Sequence, residues 1–194
     1  MRPLTVSLLA EGRSDLLFLE GVLDRQFTAL SFEGDGFEFF GVLRVDVSTV
    51  SAAARVDEAV VQVSTACSLV LVHHDHNEAG KIDALRARLA ASGAVHSRIV
   101  GAVPVRETEV WMLADRDALS AVRGARLGDI PGSIRELEKT PDPKAVLRSV
   151  CGCVDDELFQ RLGDTVSLER LAEVPAYQSF LQDLTTALKE LNFL

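Results

Sequence analysis

Hydrophobic positions recur at two periods along the chain. Leu4 to Ala10 is largely apolar with β-branched residues and reads as a buried strand. Gly12 breaks it. Ser14 can cap a helix, and Asp15 suits the positive end of its dipole. Leu16, Leu17, Leu19, Val22, Leu23 and Phe27 then repeat at helical spacing, which predicts a helix from Ser14 to Phe27. Gly34 and Gly36 mark a turn, and Phe37 to Val47 reads as a second strand. Val50 to Thr65 is Ala-rich, with Val56, Val60 and Val63 on one helical face. Ser68 to His74, SLVLVHH, is the clearest strand. An apolar run of this kind predicts a central parallel strand covered on both faces. Ala79 to Ala91 follows as a helix with Ile82, Leu85 and Leu89 inward, and Arg98 to Val105 as a strand stopped near Pro104. Thr108 is placed to cap a helix carrying Val110, Trp111 and Leu113, with Trp111 as a core residue.

This alternation of strand and helix predicts an α/β fold with a parallel sheet flanked by helices. From Ala118 the pattern changes to helical segments broken by Gly124, Gly128, Pro131, Gly132, Pro141 and Pro143, and the last clear helix is Tyr177 to Leu191. Residues 1–117 are expected to form the α/β core and 118–194 a helical extension of the same domain.

Composition narrows the setting. The chain is 47% hydrophobic and 25% charged, enough for one sizeable core and far from the makeup of a disordered chain. No run approaches the roughly 18 apolar residues of a membrane span. The first apolar run meets Glu11 at once and reads as a strand, not a signal peptide, so a cytoplasmic protein without membrane association is expected. Three cysteines, Cys67, Cys151 and Cys153, form no plausible disulfide framework. The net charge of −9 disfavours bulk attraction to polyanions, but it leaves open an enzyme that meets phosphate through metal ions. One stretch runs the other way: Lys81, Arg86, Arg88, Arg98 and Arg106 are opposed only by Asp83, either as a solvated face or as a phosphate-facing patch.

In an open parallel sheet, ligands bind beyond the carboxyl ends of the strands. Three such ends carry acids here: Glu11 and Asp15; Asp75 with Asn77 and Glu78; and Glu107 with Glu109. Converging carboxylates repel unless a cation compensates them, and hard oxygen ligands favour Mg²⁺ or Mn²⁺. Of the last pair, Glu109 is preferred, because its helix beside Trp111 would hold it steady. Lys81, Arg106 and His76 are candidate phosphate contacts. Duller readings stand beside these: Asp15 as a first-turn charge, Lys81 as a solvated helix-start lysine, Glu107 and Glu109 as a helix-start pair. His73, His74 and His76 invite a zinc hydrolase reading, but no His-Glu-x-x-His string accompanies them. No P-loop, G-x-G-x-x-G or G-x-S-x-G motif is present.

The strings LLAEGRSD and LVLVHHDHN place Glu-Gly after a first strand and Asp-x-Asn after an apolar strand. This order resembles the Toprim fold of topoisomerases, bacterial primases and OLD-family nucleases. VPVRETEVWMLAD and EKTPDPK extend the likeness to a small bacterial Toprim-like family linked to defence and mobile elements. The resemblance implies a Toprim-like, Rossmannoid sheet and a Mg²⁺- or Mn²⁺-dependent nuclease acting on nucleic acid or nucleotide. Glu11 would then be a general acid/base or metal ligand, Asp75 the first aspartate of the pair, and Asp15 the second acid of OLD-type sites. Asn77 stands where the second aspartate belongs, and its amide ligates without charge. That departure, with the missing nucleotide-binding motif, keeps another reading open: a degenerate partner or regulator of a separately encoded ATPase. A homodimer is compatible with either.

Overall fold

The computed structural model describes residues 2–32, 36–46, 53–75, 79–93 and 98–194. Four strands, β1 (Pro3–Ala10), β2 (Glu38–Asp46), β3 (Leu69–His73) and β4 (Arg98–Ala102), form one sheet in the order β2-β1-β3-β4. All three pairings are parallel. Parallel neighbours need crossovers, and these are the helices α1 (Arg13–Ser31), α2 (Ala53–Ser64) and α3 (Ala79–Ser92).

Side-chain alternation divides the sheet between two cores. In β3, Leu69 and Leu71 face the larger core with α1, whereas Val70 and Val72 face the smaller one with Val60 of α2 and Ile82, Leu85 and Leu89 of α3. In β1, Leu4, Val6, Leu8 and Ala10 join the first, and Leu9 joins the second. Both faces of β1 and β3 are therefore covered, as their apolar sequences require. The chain leaves β1 toward β2, then crosses back to β3 and β4. The winding thus reverses between β1 and β3, the switch point of a Rossmann-like α/β fold, where the strand ends open a crevice.

The C-terminal part is helical: α4 (Glu109–Leu113), α5 (Arg116–Ser120), a 3₁₀ turn (Leu127–Asp129), α6 (Ile134–Glu138), α7 (Pro143–Cys151), α8 (Asp156–Thr165), α9 (Leu168–Leu171) and α10 (Pro175–Glu190). Its apolar residues merge with the α1 side of the sheet in one cluster, which includes Phe18, Phe27, Trp111, Leu162, Tyr177 and Leu184. Each such fully buried side chain contributes about 1.5–3 kcal/mol of transfer free energy. Trp111 meets Tyr177 edge-on at 5.1 Å between ring centroids. Helices α1 and α8 approach at Gly21 and Gly163, and Arg25 locks the contact by donating to the carbonyls of Gly163 and Val166, each at 2.7 Å.

Helix α1 begins one residue before the expected Ser14 and continues past Phe27 to Ser31. Gly12, extended at φ −126°, is its N-cap, so Ser14 lies inside the first turn. Strand β4 ends at Ala102, short of Val105. Residues 47–52, which hold the end of the expected second strand and the start of the following helix, lie outside the described residues.

Candidate metal centre

Three strand-end segments bring their side chains into one crevice. After β1, the chain turns directly into α1, with the Leu16 N–H donating to the Gly12 carbonyl at 3.1 Å. This early start carries Asp15 inward in the first helical turn, where it is only 4% exposed. Gly12 leaves the space: a Cβ there would lie 2.6 Å from Asp15 Oδ2. At the end of β3, His73 is 1% exposed and Asp75 9%. Alternation along β3 puts His73 on the same face as Leu69 and Leu71, toward α1 and Asp15. Beyond β4, Thr108 and Glu109 are buried at the start of α4.

Asp15, His73 and Asp75 each offer a ligand atom within 4.8 Å of the other two. His73 Nε2 lies 3.3 Å from Asp75 Oδ1 and 2.7 Å from Thr108 Oγ1. Thr108 is the residue before α4, as the sequence suggests, but its side chain makes no capping bond and is turned to His73 instead. Glu11 borders the group: its Oε1 is 2.7 Å from His74 Nδ1, and its Oε2 accepts from the Asp75 N–H at 3.4 Å. Lys144, in the first turn of α7, places Nζ 3.3 Å from Glu107 Oε1. A lysine at a helix N-terminus opposes the dipole, so the carboxylates facing it must compensate.

Burial without full satisfaction sets the electrostatics. Asp15 Oδ1, Glu107 Oε2, Glu109 Oε2 and His73 Nδ1 are buried and have no hydrogen-bond partner among the described residues. Desolvation raises the Asp15 pKa above its ordinary value; the charge of Asp75 adds to this, and His73, Thr108 and Lys144 pull it back. Desolvation likewise lifts Glu109 from 4.5 to about 7, against the pull of Lys144. Glu11 behaves oppositely: burial acts to raise its pKa, but His74 and the backbone of Asp75 outweigh it and leave it lowered. Buried acid oxygens without donors are costly, and a cation held among them would satisfy several at once. The donor set of two carboxylates and an imidazole fits a divalent metal ion.

Of the residues expected at the site, Glu11, Asp15, Asp75 and Glu109 converge. Asn77 and His76 lie outside the described residues. Lys81 on α3 and Arg106 before α4 are exposed, and Lys144 is the cation acting on both Asp15 and Glu109. Sequence reasoning treated His73 and His74 alike, but the structure separates them: His73 inside the cluster, His74 beside it on Glu11. Strand parity carries that distinction. Thr108 and Lys144 were missed as site residues, and the only sequence signal for Lys144 is its place in EKTPDPK. No protein-family model, curated protein or solved structure matches this chain.

Proposed function

We propose that this chain is a Toprim-type enzyme that cleaves phosphodiester bonds with a bound divalent metal ion, Mg²⁺ or Mn²⁺ in the first instance. The observation that carries the reading is the meeting of Asp15, His73 and Asp75 at the switch point between β1 and β3, where Asp15 keeps a buried oxygen without a hydrogen-bond partner among the described residues. Asp15 and Asp75 would hold the ion, with Glu109 and Glu11 at its border. A bound divalent ion supplies Lewis acidity toward phosphate oxygens and lowers the pKa of water. The protein's own groups divide the remaining work. Glu11, kept ionised by His74 and the Asp75 N–H, would hold a negative charge at the border of the ion and orient a water or ligate there. Lys144 offsets the surplus negative charge of the site and can meet a phosphate oxygen.

Purified protein should cut DNA or RNA when Mg²⁺ or Mn²⁺ is added. Asp75→Ala and Asp15→Asn should each lower the rate by at least about 100-fold, the loss of more than 2.7 kcal/mol of barrier reduction. Cleavage undiminished in both variants would reject the mechanism.

A second reading has its own support: Asn77 replaces a charged ligand, and Glu11 is already engaged by His74. The chain would then be a catalytically silent partner of an ATPase. Calorimetry separates the two readings, because the partner role expects no binding at millimolar Mn²⁺.

A further inference from the structure

His73 changes what kind of ion the crevice should hold. Carboxylates alone form a hard oxygen site, to which Mg²⁺ is well suited. An imidazole nitrogen is a borderline ligand that favours Mn²⁺, Co²⁺ and Zn²⁺ over Mg²⁺. His73 is not at the rim. It is 1% exposed, ends the central strand and points to the α1 face where Asp15 lies.

We infer that His73 is a nitrogen ligand of this centre and makes it selective for a transition ion over Mg²⁺. The inference rests on the reading of the crevice as a metal centre. Two observations carry it. The separation of 3.3 Å between His73 Nε2 and Asp75 Oδ1 matches the roughly 3.0–3.5 Å between neighbouring ligands of an ion bound at about 2.1 Å. Independently, Asp15, 4% exposed, keeps Oδ1 without a hydrogen-bond partner among the described residues, and it offers an oxygen within 4.8 Å of both other ligand atoms. Thr108 Oγ1 lies 2.7 Å from the same Nε2, so ligation requires the threonine side chain to turn about its Cα–Cβ bond and release that nitrogen to the cation. The neighbouring His74 takes no part, because its Nδ1 faces Glu11.

The test is calorimetric titration of the full chain with Zn²⁺, Mn²⁺ and Mg²⁺, on wild type, His73→Asn and Asp75→Ala, each checked for folding by circular dichroism. Wild type should bind Zn²⁺ at least about 100-fold more tightly than Mg²⁺. His73→Asn should weaken Zn²⁺ and Mn²⁺ by at least about tenfold while moving Mg²⁺ by less than about threefold. Asp75→Ala should weaken all three. Because a buried histidine variant can fail to fold, wild type loaded with Mn²⁺ is also examined by pulsed electron paramagnetic resonance, where nitrogen coupling from a directly bound imidazole is expected. Unchanged affinities in His73→Asn, or no nitrogen coupling in the Mn²⁺ protein, would overturn the inference and leave an all-oxygen metal centre standing. Failure of folded wild type to bind any of the ions at millimolar concentration would instead remove the metal centre itself, and the inference with it.

Discussion

Burial lifts the Glu109 carboxyl from 4.5 to about 7, and Lys144 only partly restrains the shift. The sign for stability follows from proton counting. Below pH 4.5 the group is protonated whether folded or unfolded, so no penalty exists. Between 4.5 and about 7 the native state holds a proton that the unfolded chain releases, so stability falls as pH rises through that window. Above it the full penalty applies, about 3 kcal/mol at 1.36 kcal/mol for each pH unit. Asp15, also raised, adds in the same direction. Metal-free wild type should therefore have a lower urea midpoint at pH 8 than at pH 5. Glu109→Gln cannot ionise and should flatten that decline, gaining about 1–3 kcal/mol over wild type at pH 8. Parallel pH profiles for the two proteins would mean that Glu109 is not the strained acid. The sequence exposed the acids but not their burial: Glu107 and Glu109 read alike as helix-start charges, and only the docking of α4 makes the second one inaccessible.

At the scale of elements, periodicity located the strands and the first helices because each buries a continuous face. The ends were less legible where a tertiary contact overrides a local preference. Thr108 has the chemistry of a helix cap, yet the buried His73 takes its hydroxyl. Ser14 has it too, but Gly12 admits an earlier start. In the C-terminal part the caps are local. Asp115, Ser133, Asp142, Asp155 and Ser167 each accept from the first turn of the helix that follows. The α1–α8 contact was hidden, since nothing along the chain says that Gly163 must touch α1. A Cβ on Gly163 would stand 2.5 Å from the Phe18 carbonyl oxygen, a backbone atom that cannot swing aside. Gly163→Ala should push the helices apart, strain both Arg25 bonds and cost about 2–3 kcal/mol in urea denaturation. A loss under half a kilocalorie would show that the helices slide freely.

For the whole molecule, the alternation of elements was enough to anticipate a parallel sheet, and the rule of strand carboxyl ends was enough to anticipate which loops meet. The strand order places β1 beside β3 although a strand and two helices separate these two in sequence, so Glu11 and Asp15 arrive next to Asp75. Lys144 was beyond that rule, because α7 belongs to the helical extension and reaches the crevice only through tertiary packing. Holding so many acids together strains the metal-free fold, and a cation that binds only the native state should return that energy. At a concentration 100 times its dissociation constant, the ion adds about 2.7 kcal/mol. For a chain of this length that corresponds to a rise of roughly 5–11 °C in Tm. Protons compete for the same oxygens, and the raised pKa values of Asp15 and Glu109 leave these acids more protonated at pH 5.5 than at pH 8. A fixed Mn²⁺ concentration should therefore raise Tm more at pH 8 than at pH 5.5, and Asp75→Ala should show little rise at either. An equal rise at both pH values, or one that survives in Asp75→Ala, would place the ion elsewhere on this acidic surface.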